Sequence, residues 1–156
     1  MAIVYRPIDP QDLAEVHTFN FFCDNSGRDS NEGHIPDSDD ERKRKSEEIV
    51  TQLTRDASRH HGLAAFDDGG MVGVIRLRMM TIDKLPACHV SALWVHPDHR
   101  GRGVATKLKE LAETWARAMG SAFMDTNVRV ANERMIALNT QMGYEVARLN
   151  FRKRLD

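Results

Sequence analysis

Apolar residues recur along the chain at two spacings, which predict a mixture of helices and strands. Intervals of three and four residues predict helices beginning near residue 9, over about 39–60, over 104–119 and over 132–142. Short apolar or alternating runs predict strands over 3–5, 63–66, 71–80, 89–95, 122–126 and 147–152. Residues 23–36 show no periodicity and much Asp, Asn, Ser and Gly, so they are predicted to form a long loop.

Residues with known preferences for element ends support these boundaries. Asp9-Pro10 is typical of a helix N-terminus, and residues 38–41 have capping-box spacing. The sequence Asp-Asp-Gly-Gly at 67–70 predicts a hairpin turn. His60-His61 is predicted to close the second helix, because cationic side chains favour its carbonyl end. The order strand, helix, strand over 89–126 predicts a parallel pair with a right-handed crossover.

The composition is that of an ordinary globular protein. With 156 residues, 41% of them hydrophobic, we expect a single domain over 1–156. A net charge of -1 gives no overall reason to bind nucleic acid or an acidic membrane. No stretch approaches the roughly 20 apolar residues of a membrane span. Cys23 and Cys88 form no C-x-x-C pair, so we expect two reduced thiols in a cytoplasmic protein.

The most informative segment is 94–106, where a strand end, a glycine turn and a helix start follow one another directly. The first turn of a helix offers unpaired N–H groups and a partial positive charge, which favour an anion. Gly101 and Gly103 let the backbone approach a ligand, and Arg100 and Arg102 can add forked donors. The segment predicts a diphosphate site, but it matches neither a Walker A loop nor a full dinucleotide fingerprint.

The segment 100–105, Arg-Gly-Arg-Gly-Val-Ala, resembles the pyrophosphate loop Arg/Gln-x-x-Gly-x-Gly/Ala of the GNAT N-acetyltransferase superfamily. The later helix resembles a second motif of that family at Asn132, Met135, Leu138, Asn139, Gly143 and Tyr144. The resemblance implies an α/β fold of the GNAT type, a mostly antiparallel sheet with a central, splayed parallel strand pair flanked by helices. It also implies an N-acetyltransferase that moves the acetyl group of acetyl-CoA to a primary amine by direct attack.

The same resemblance implies where acetyl-CoA, the co-substrate, binds. Backbone amides of 102–106 would hold its pyrophosphate, and the edge of 93–95 would pair with its pantetheine arm like an added strand. A strand N–H near Leu93 or Trp94 would stabilise the oxyanion. The residues implied to contact the co-substrate are Leu93, Trp94, Val95, Arg100, Gly101, Arg102, Gly103, Val104, Ala105, Thr106, Asn132 and Asn139.

The chain departs from the family at two catalytic positions. Asn139 replaces the Tyr that protonates the departing thiolate, so water or Tyr144 would supply that proton. Ser91 replaces the Glu that often deprotonates the amine, and His89, two residues earlier on the same side, is the candidate base. A structural histidine with a hydrogen-bond partner remains an equal interpretation of His89. A catalytically weak acyl-CoA-binding module is therefore the alternative function.

Other charged groups leave their roles open. The acidic run over 37–41 either attracts a cationic amine or simply stabilises a helix N-terminus. His96 and His99 lie in a Pro-containing loop without an evident third ligand, so we expect no metal site. The basic residues after 147 are typical of the solvated face of a last strand rather than of a nucleic-acid site. A homodimer is possible, and neither nucleic acid nor membrane is expected as a partner.

Overall fold

Five strands of the described chain form one mixed sheet, in which neighbours in sequence are neighbours in space. The computed structural model describes residues 2–29, 33 and 35–156. The strands are β1 (Val4–Pro7), β2 (His60–Asp67), β3 (Gly70–Ile82), β4 (Leu85–Val95) and β5 (Phe123–Thr126). Strands β1 to β4 pair antiparallel, whereas β4 and β5 run parallel. The predicted hairpin and the predicted parallel pair are confirmed.

Helices cover both faces of the sheet. They are α1 (Leu13–Asp29), α2 (Asp39–Arg55), α3 (Val104–Ala118) and α4 (Glu133–Gln141), with a short 3-10 helix at Pro97–His99. The capping box of α2 is confirmed, because the Glu41 N–H donates to Ser38 Oγ and the Ser38 N–H donates to the Glu41 carboxylate. None of the helices within the described ranges is long and apolar enough to cross a membrane.

Two apolar clusters, one on each face, hold the helices to the sheet. On one face Leu77 of β3 packs in the same fully buried cluster as Leu108 of α3. On the other face Phe19 of α1 and Ile49 of α2 pack in a cluster with Val74. Burying each such side chain contributes about 1.5–3 kcal/mol. The alternation of β3 therefore assigns α3 to one face and α1 with α2 to the other.

The predicted loop over 23–36 is wrong for residues 23–29, which continue α1. The Phe22 ring meets the Trp94 ring edge-on at 4.6 Å between centroids, and Asn25 is only 3% exposed. These tertiary contacts outweigh the weak helix propensity of Asp, Asn, Ser and Gly. The remainder of that prediction falls partly on 30–32 and 34, outside the described residues.

Two predicted helix ends are also corrected. The carboxylate that accepts from the first turn of α1 belongs to Asp12, which accepts from the Glu15 N–H at 3.1 Å, so Asp9 is not the N-cap. At the end of α2 the helix stops at Arg55, and His60-His61 begin β2. The His61 ring stacks on Trp115 at 4.8 Å between centroids. Strand pairing and ring stacking therefore place these histidines in the sheet.

Residues 147–152 do not form the predicted final strand. Leu149 and Phe151 are 73% and 87% exposed. Alternating side chains produce a strand only where a neighbouring strand takes up the backbone hydrogen bonds, and within the described ranges β5 has a sheet partner only in β4. The resemblance implied a parallel pair at the centre of the sheet. In the described chain the pair lies at one edge instead.

Candidate active site

The edge of β4 beyond its pairing with β5, over residues 91–95, is open, and we call this open edge the slot. The two strands pair only from Ala87 with Phe123 to Val90 with Thr126, after which β5 ends and β4 continues to Val95. Along 91–95 no strand of the described chain covers this side of β4. The end of β5 thus leaves an open strand edge that can accept an extended ligand, whereas a splay of the two strands stays a prediction.

The backbone direction along β4 decides which groups face the slot. The His96 N–H donates to the Val72 carbonyl at 2.8 Å, so His96 directs its backbone groups toward β3. Because these groups alternate along a strand, those of Trp94 also face β3, whereas those of Leu93 and Val95 face the slot. Of the residues implied for the pantetheine arm, Leu93 has its N–H and C=O in the required direction.

A bulge interrupts β4 beside this edge. Arg76 of β3 opposes Ala92 and Leu77 opposes Val90, which leaves Ser91 as the extra residue. A bulge bends a strand and redirects its side chains. It explains why Val90 and Val95, an odd number of positions apart, both pack in the cluster beneath α3. The predicted place of the amine-activating carboxylate, Ser91, is therefore an exposed bulge residue.

The glycine turn after β4 has the open backbone that the sequence predicts. Gly101 and Gly103 have φ angles of +75° and +79°, and a Cβ on either would meet nothing within 4 Å. Gly103 caps α3 without a side-chain hydrogen bond, so the first N–H groups of the helix, over 104–106, lack a side-chain acceptor. The left-handed glycines thus leave free space directly over unpaired donors.

Arg100 braces this turn through contacts that the sequence did not predict. Its Nε donates to the Val95 carbonyl at 2.8 Å, and its guanidinium lies 3.3 Å from an Asp29 oxygen. The same Asp29 carboxylate accepts from Trp94 Nε1 at 2.7 Å. Burial disfavours the charged carboxylate, but the hydrogen bonds from Trp94 and Arg100 outweigh it and lower the pKa of Asp29. Arg100 thereby ties the end of α1 to the end of β4.

We expect Asp29→Ala to destabilise the protein by about 1–2 kcal/mol, because the part-buried Trp94 N–H and the Arg100 guanidinium lose their shared acceptor. Urea denaturation measures this change. Asp98→Ala is the control, since the Asp98 side chain is 83% exposed and should shift the unfolding free energy by less than about 0.5 kcal/mol. Equal stability of Asp29→Ala and wild type would contradict the bracing role.

A second contact holds the turn from the other side. His99 Nε2 lies 2.7 Å from the carboxylate of Asp67, the last residue of β2. The Asp67 carboxylate also accepts from the Gly69 N–H at 2.8 Å. The contact between His99 and Asp67 therefore holds the 3-10 helix, which precedes the glycine turn, against the β2–β3 hairpin.

The predicted catalytic residues fall on two faces of the sheet. Cys88 and Val90 pack beneath α3, so His89 between them faces the side of α1 and α2. His89 Nδ1 lies 2.6 Å from Asp125 Oδ2 on β5. Tyr144 lies on the α3 side, with its ring 4.2 Å from Lys109 Nζ. The structure therefore does not bring His89 and Tyr144 together.

Asn139 and Tyr144 meet at the C-terminal end of α4. The Tyr144 N–H donates to the Asn139 carbonyl at 2.9 Å. Asn139 Oδ1 and the Tyr144 hydroxyl are both buried without a hydrogen-bond partner in the described chain. Burial, followed by the charge of Glu113, raises the pKa of Tyr144, so its phenol is neutral at physiological pH. Both atoms thus have hydrogen-bonding capacity that the described protein atoms leave unused.

Sequence reasoning missed Asp125 and Lys109. Asp125 lies in a predicted strand and could have been found as a carboxylate in register with His89 across a parallel pair. Lys109 directly follows the core residue Leu108 on α3 and is itself only 1% exposed, which is unusual for a lysine. Its spacing of three from Ala112 and seven from Ala116 places it on the buried side of the helix.

Comparison with known proteins identifies the family. Residues 22–144 match the acetyltransferase (GNAT) family. This match covers most of the chain, including α3, the glycine turn and α4.

The chain belongs to the GNAT acetyltransferase family.

Solved structures share the fold of this GNAT protein along their whole length. AAC(6')-Iy, in complex with the bisubstrate analog CoA-S-monomethyl-acetylneamine, is 21% identical with a TM-score of 0.72, over 99% of this chain and 100% of that one. A ribosomal-protein-alanine N-acetyltransferase from Brucella melitensis is 18% identical with a TM-score of 0.70, over 99% and 100%. Glucosamine-6-phosphate N-acetyltransferase from Arabidopsis thaliana is 17% identical with a TM-score of 0.70, over 100% of both chains. At these identities the likeness shows the GNAT fold.

Acetyl-CoA is the co-substrate of the family, and the site has the groups that it needs. The unpaired N–H groups of 104–106 and the free space over Gly101 and Gly103 suit a diphosphate. The Leu93 C=O and the Val95 N–H, which face the open edge of β4, suit the amides of an extended arm. Arg102 is exposed beside the turn and can add charge.

Proposed function

We propose that this protein transfers the acetyl group of acetyl-CoA to a primary amine of a small molecule or peptide. The observation that carries the proposal is the open edge of β4, which leads through a turn with two left-handed glycines to the N-terminus of α3, where no side chain caps the helix. An extended chain could pair with the open edge of β4, and a diphosphate at its end could bind the N-terminus of α3. Family membership supplies the reaction class, and the geometry supports a reactant slot beside Val90 and Ser91.

The chain's own residues would act mainly by positioning. Acetyl-CoA supplies an activated acetyl thioester. Backbone N–H groups over 102–106 hold the diphosphate, and the Leu93 N–H, which faces the slot, is the donor placed to stabilise the developing oxyanion. As the amine nitrogen bonds to the acetyl carbon, the C–S bond breaks and sulfur leaves with the electron pair. His89 or water takes the proton from the amine.

The leaving thiolate needs a hydrogen-bond donor or a proton. Asn139 is 8% exposed and carries an amide that can donate to sulfur without being an acid. A thiolate with an ordinary pKa near 8.5 leaves tolerably without full protonation, and water can protonate it afterwards. The raised pKa of the Tyr144 phenol makes it a weak acid, so water is the favoured proton source.

The acidic run over 37–41 is the candidate for attracting a cationic acceptor. Within the acidic run, Asp37 pairs with Lys45 at 2.5 Å and Glu41 closes the capping box of α2. Local helix stabilisation therefore accounts for both of these acids, and a cationic acceptor stays a prediction. A homodimer, a cytoplasmic location and a single domain over 1–156 also stay predictions.

Release of the coenzyme A thiol across an amine library tests the proposal. The library contains aminoglycosides, peptides with N-terminal alanine, glucosamine 6-phosphate, polyamines and amino acids, of which the first three are suggested by the structural neighbours. We expect saturable thiol release with at least one amine class and acetylated product by mass spectrometry. Binding of acetyl-CoA by calorimetry without thiol release from any amine would instead favour the acyl-CoA-binding module, which Asn139 and Ser91 motivate.

A further inference from the structure

A histidine and an aspartate meet at the mouth of the slot. His89 and Asp125 are register partners on β4 and β5, one pair before the two strands part. His89 Nδ1 lies 2.6 Å from Asp125 Oδ2, and the two side chains are 15% and 16% exposed. The pair is thus short and mostly shielded from water, and it lies beside the point where the pairing of β4 and β5 ends.

The chemistry of a carboxylate decides where the His89 proton lies. An ionised carboxylate only accepts hydrogen bonds, so the neutral imidazole must donate through Nδ1–H. Nε2 then carries the lone pair, and within the described ranges no residue forms a hydrogen bond to it. Arg148 forms an ion pair with the other Asp125 oxygen at 3.7 Å.

We propose that Asp125 is a positioning residue that orients His89 so that Nε2 accepts the acceptor's proton. The inference rests on the proposed function. Nε2 takes the proton released as the amine nitrogen bonds to the acetyl carbon and the thiolate departs. The Asp125 carboxylate remains ionised, stabilises the imidazolium, and the proton then passes from Nε2 to water.

The other short histidine–aspartate contact in the described chain shows what a purely structural pair looks like here. His99 uses Nε2 to reach Asp67 at 2.7 Å, and its remaining ring nitrogen is buried without a partner. That pair joins the 3-10 helix to the end of β2 and leaves no exposed ring nitrogen for a ligand. His89 Nε2, by contrast, is not among the buried unpartnered atoms of the described chain, and its ring lies near the end of the β4–β5 pairing.

Kinetics of Asp125→Asn test the proposal, because this variant keeps the side-chain shape and removes the charge. We expect kcat near pH 7 to fall on the order of 100-fold, with KM for acetyl-CoA within about twofold of wild type. The defect should shrink toward pH 9–10, where hydroxide can take this proton in place of His89. His89→Gln should show the same pattern. A merely structural role would instead give a defect independent of pH, and unchanged kcat would overturn the proposal.

Asp56→Asn is the matched control, since it removes a carboxylate from another histidine contact, 3.5 Å from His60, outside the slot. Nitrogen NMR of the imidazoles gives a readout that needs no activity. We expect His89 to be Nδ1-protonated in its neutral form in wild type and to lose that preference in Asp125→Asn. An Nε2-protonated wild-type ring would overturn the inference. Absence of thiol release with every amine would sink the proposed function, while the NMR result still decides whether Asp125 orients His89.

Discussion

Gly103→Glu is expected to weaken acetyl-CoA binding by at least about 100-fold, as measured by calorimetry. The new carboxylate would stand in the open space over Gly103, next to the unpaired N–H groups of 104–106. Each like-charge contact at about 4 Å costs about 1–4 kcal/mol, and about 2.7 kcal/mol corresponds to 100-fold in affinity. The variant should remain folded, because a left-handed non-glycine residue costs only about 1–2 kcal/mol.

The other end of α3 provides the control for backbone strain. Gly120 has the same φ of +79° as Gly103, and a Cβ there also meets nothing within 4 Å. Gly120→Glu should therefore cause similar strain and leave acetyl-CoA affinity within about threefold of wild type. Similar affinity losses in both variants would show that strain, not charge at the diphosphate, is responsible. Wild-type affinity in folded Gly103→Glu would contradict the assignment of the loop.

Replacing Lys109 should change how stability depends on pH. Lys109 is 1% exposed under the Tyr144 ring, and burial, opposed by Glu113, lowers its pKa from 10.5 to about 8. Between these values the unfolded chain binds more protons than the folded one, so this group makes stability rise with pH. The unfolding free energy of wild type relative to Lys109→Met should therefore increase by on the order of 3 kcal/mol from pH 8 to 10.5.

Urea denaturation at several pH values measures this difference. Comparing two variants at each pH removes the opposing contribution of Cys88, whose pKa burial raises to about 11. Lys107→Met is the matched control, because the Lys107 side chain lies two positions away on the same helix and is 50% exposed. Its difference from wild type should stay flat with pH. A flat difference for Lys109→Met as well would mean that the folded protein does not depress the Lys109 pKa.

Predictions from sequence succeeded where the signal lies in a few adjacent residues. The capping box at 38–41, the hairpin turn at 67–70 and the glycine turn at 100–105 depend on hydrogen bonds and dihedral angles within one or two turns of chain. The apolar face of α3 and the strands beside it determine the crossover, and hence the parallel pair. These features are local, so the sequence alone could predict them.

Predictions failed where burial or a partner strand decides. Residues 23–29 contain poor helix formers, yet they remain helical because Phe22 and Asn25 are buried. Residues 147–152 alternate like a strand, yet the described chain provides no neighbouring strand to pair with them. In both segments the secondary structure depends on contacts with residues distant in sequence and not on the local pattern.

The sequence by itself determined the family resemblance, the order of elements and the backbone of the diphosphate turn. Only the tertiary structure decided that Asp125 meets His89, 36 positions away, and that Asp29 meets Trp94 and Arg100, 65 and 71 positions away. The physical reason is that such contacts follow from strand register and helix packing, which are set by the burial of many side chains together. No short stretch of sequence contains that information.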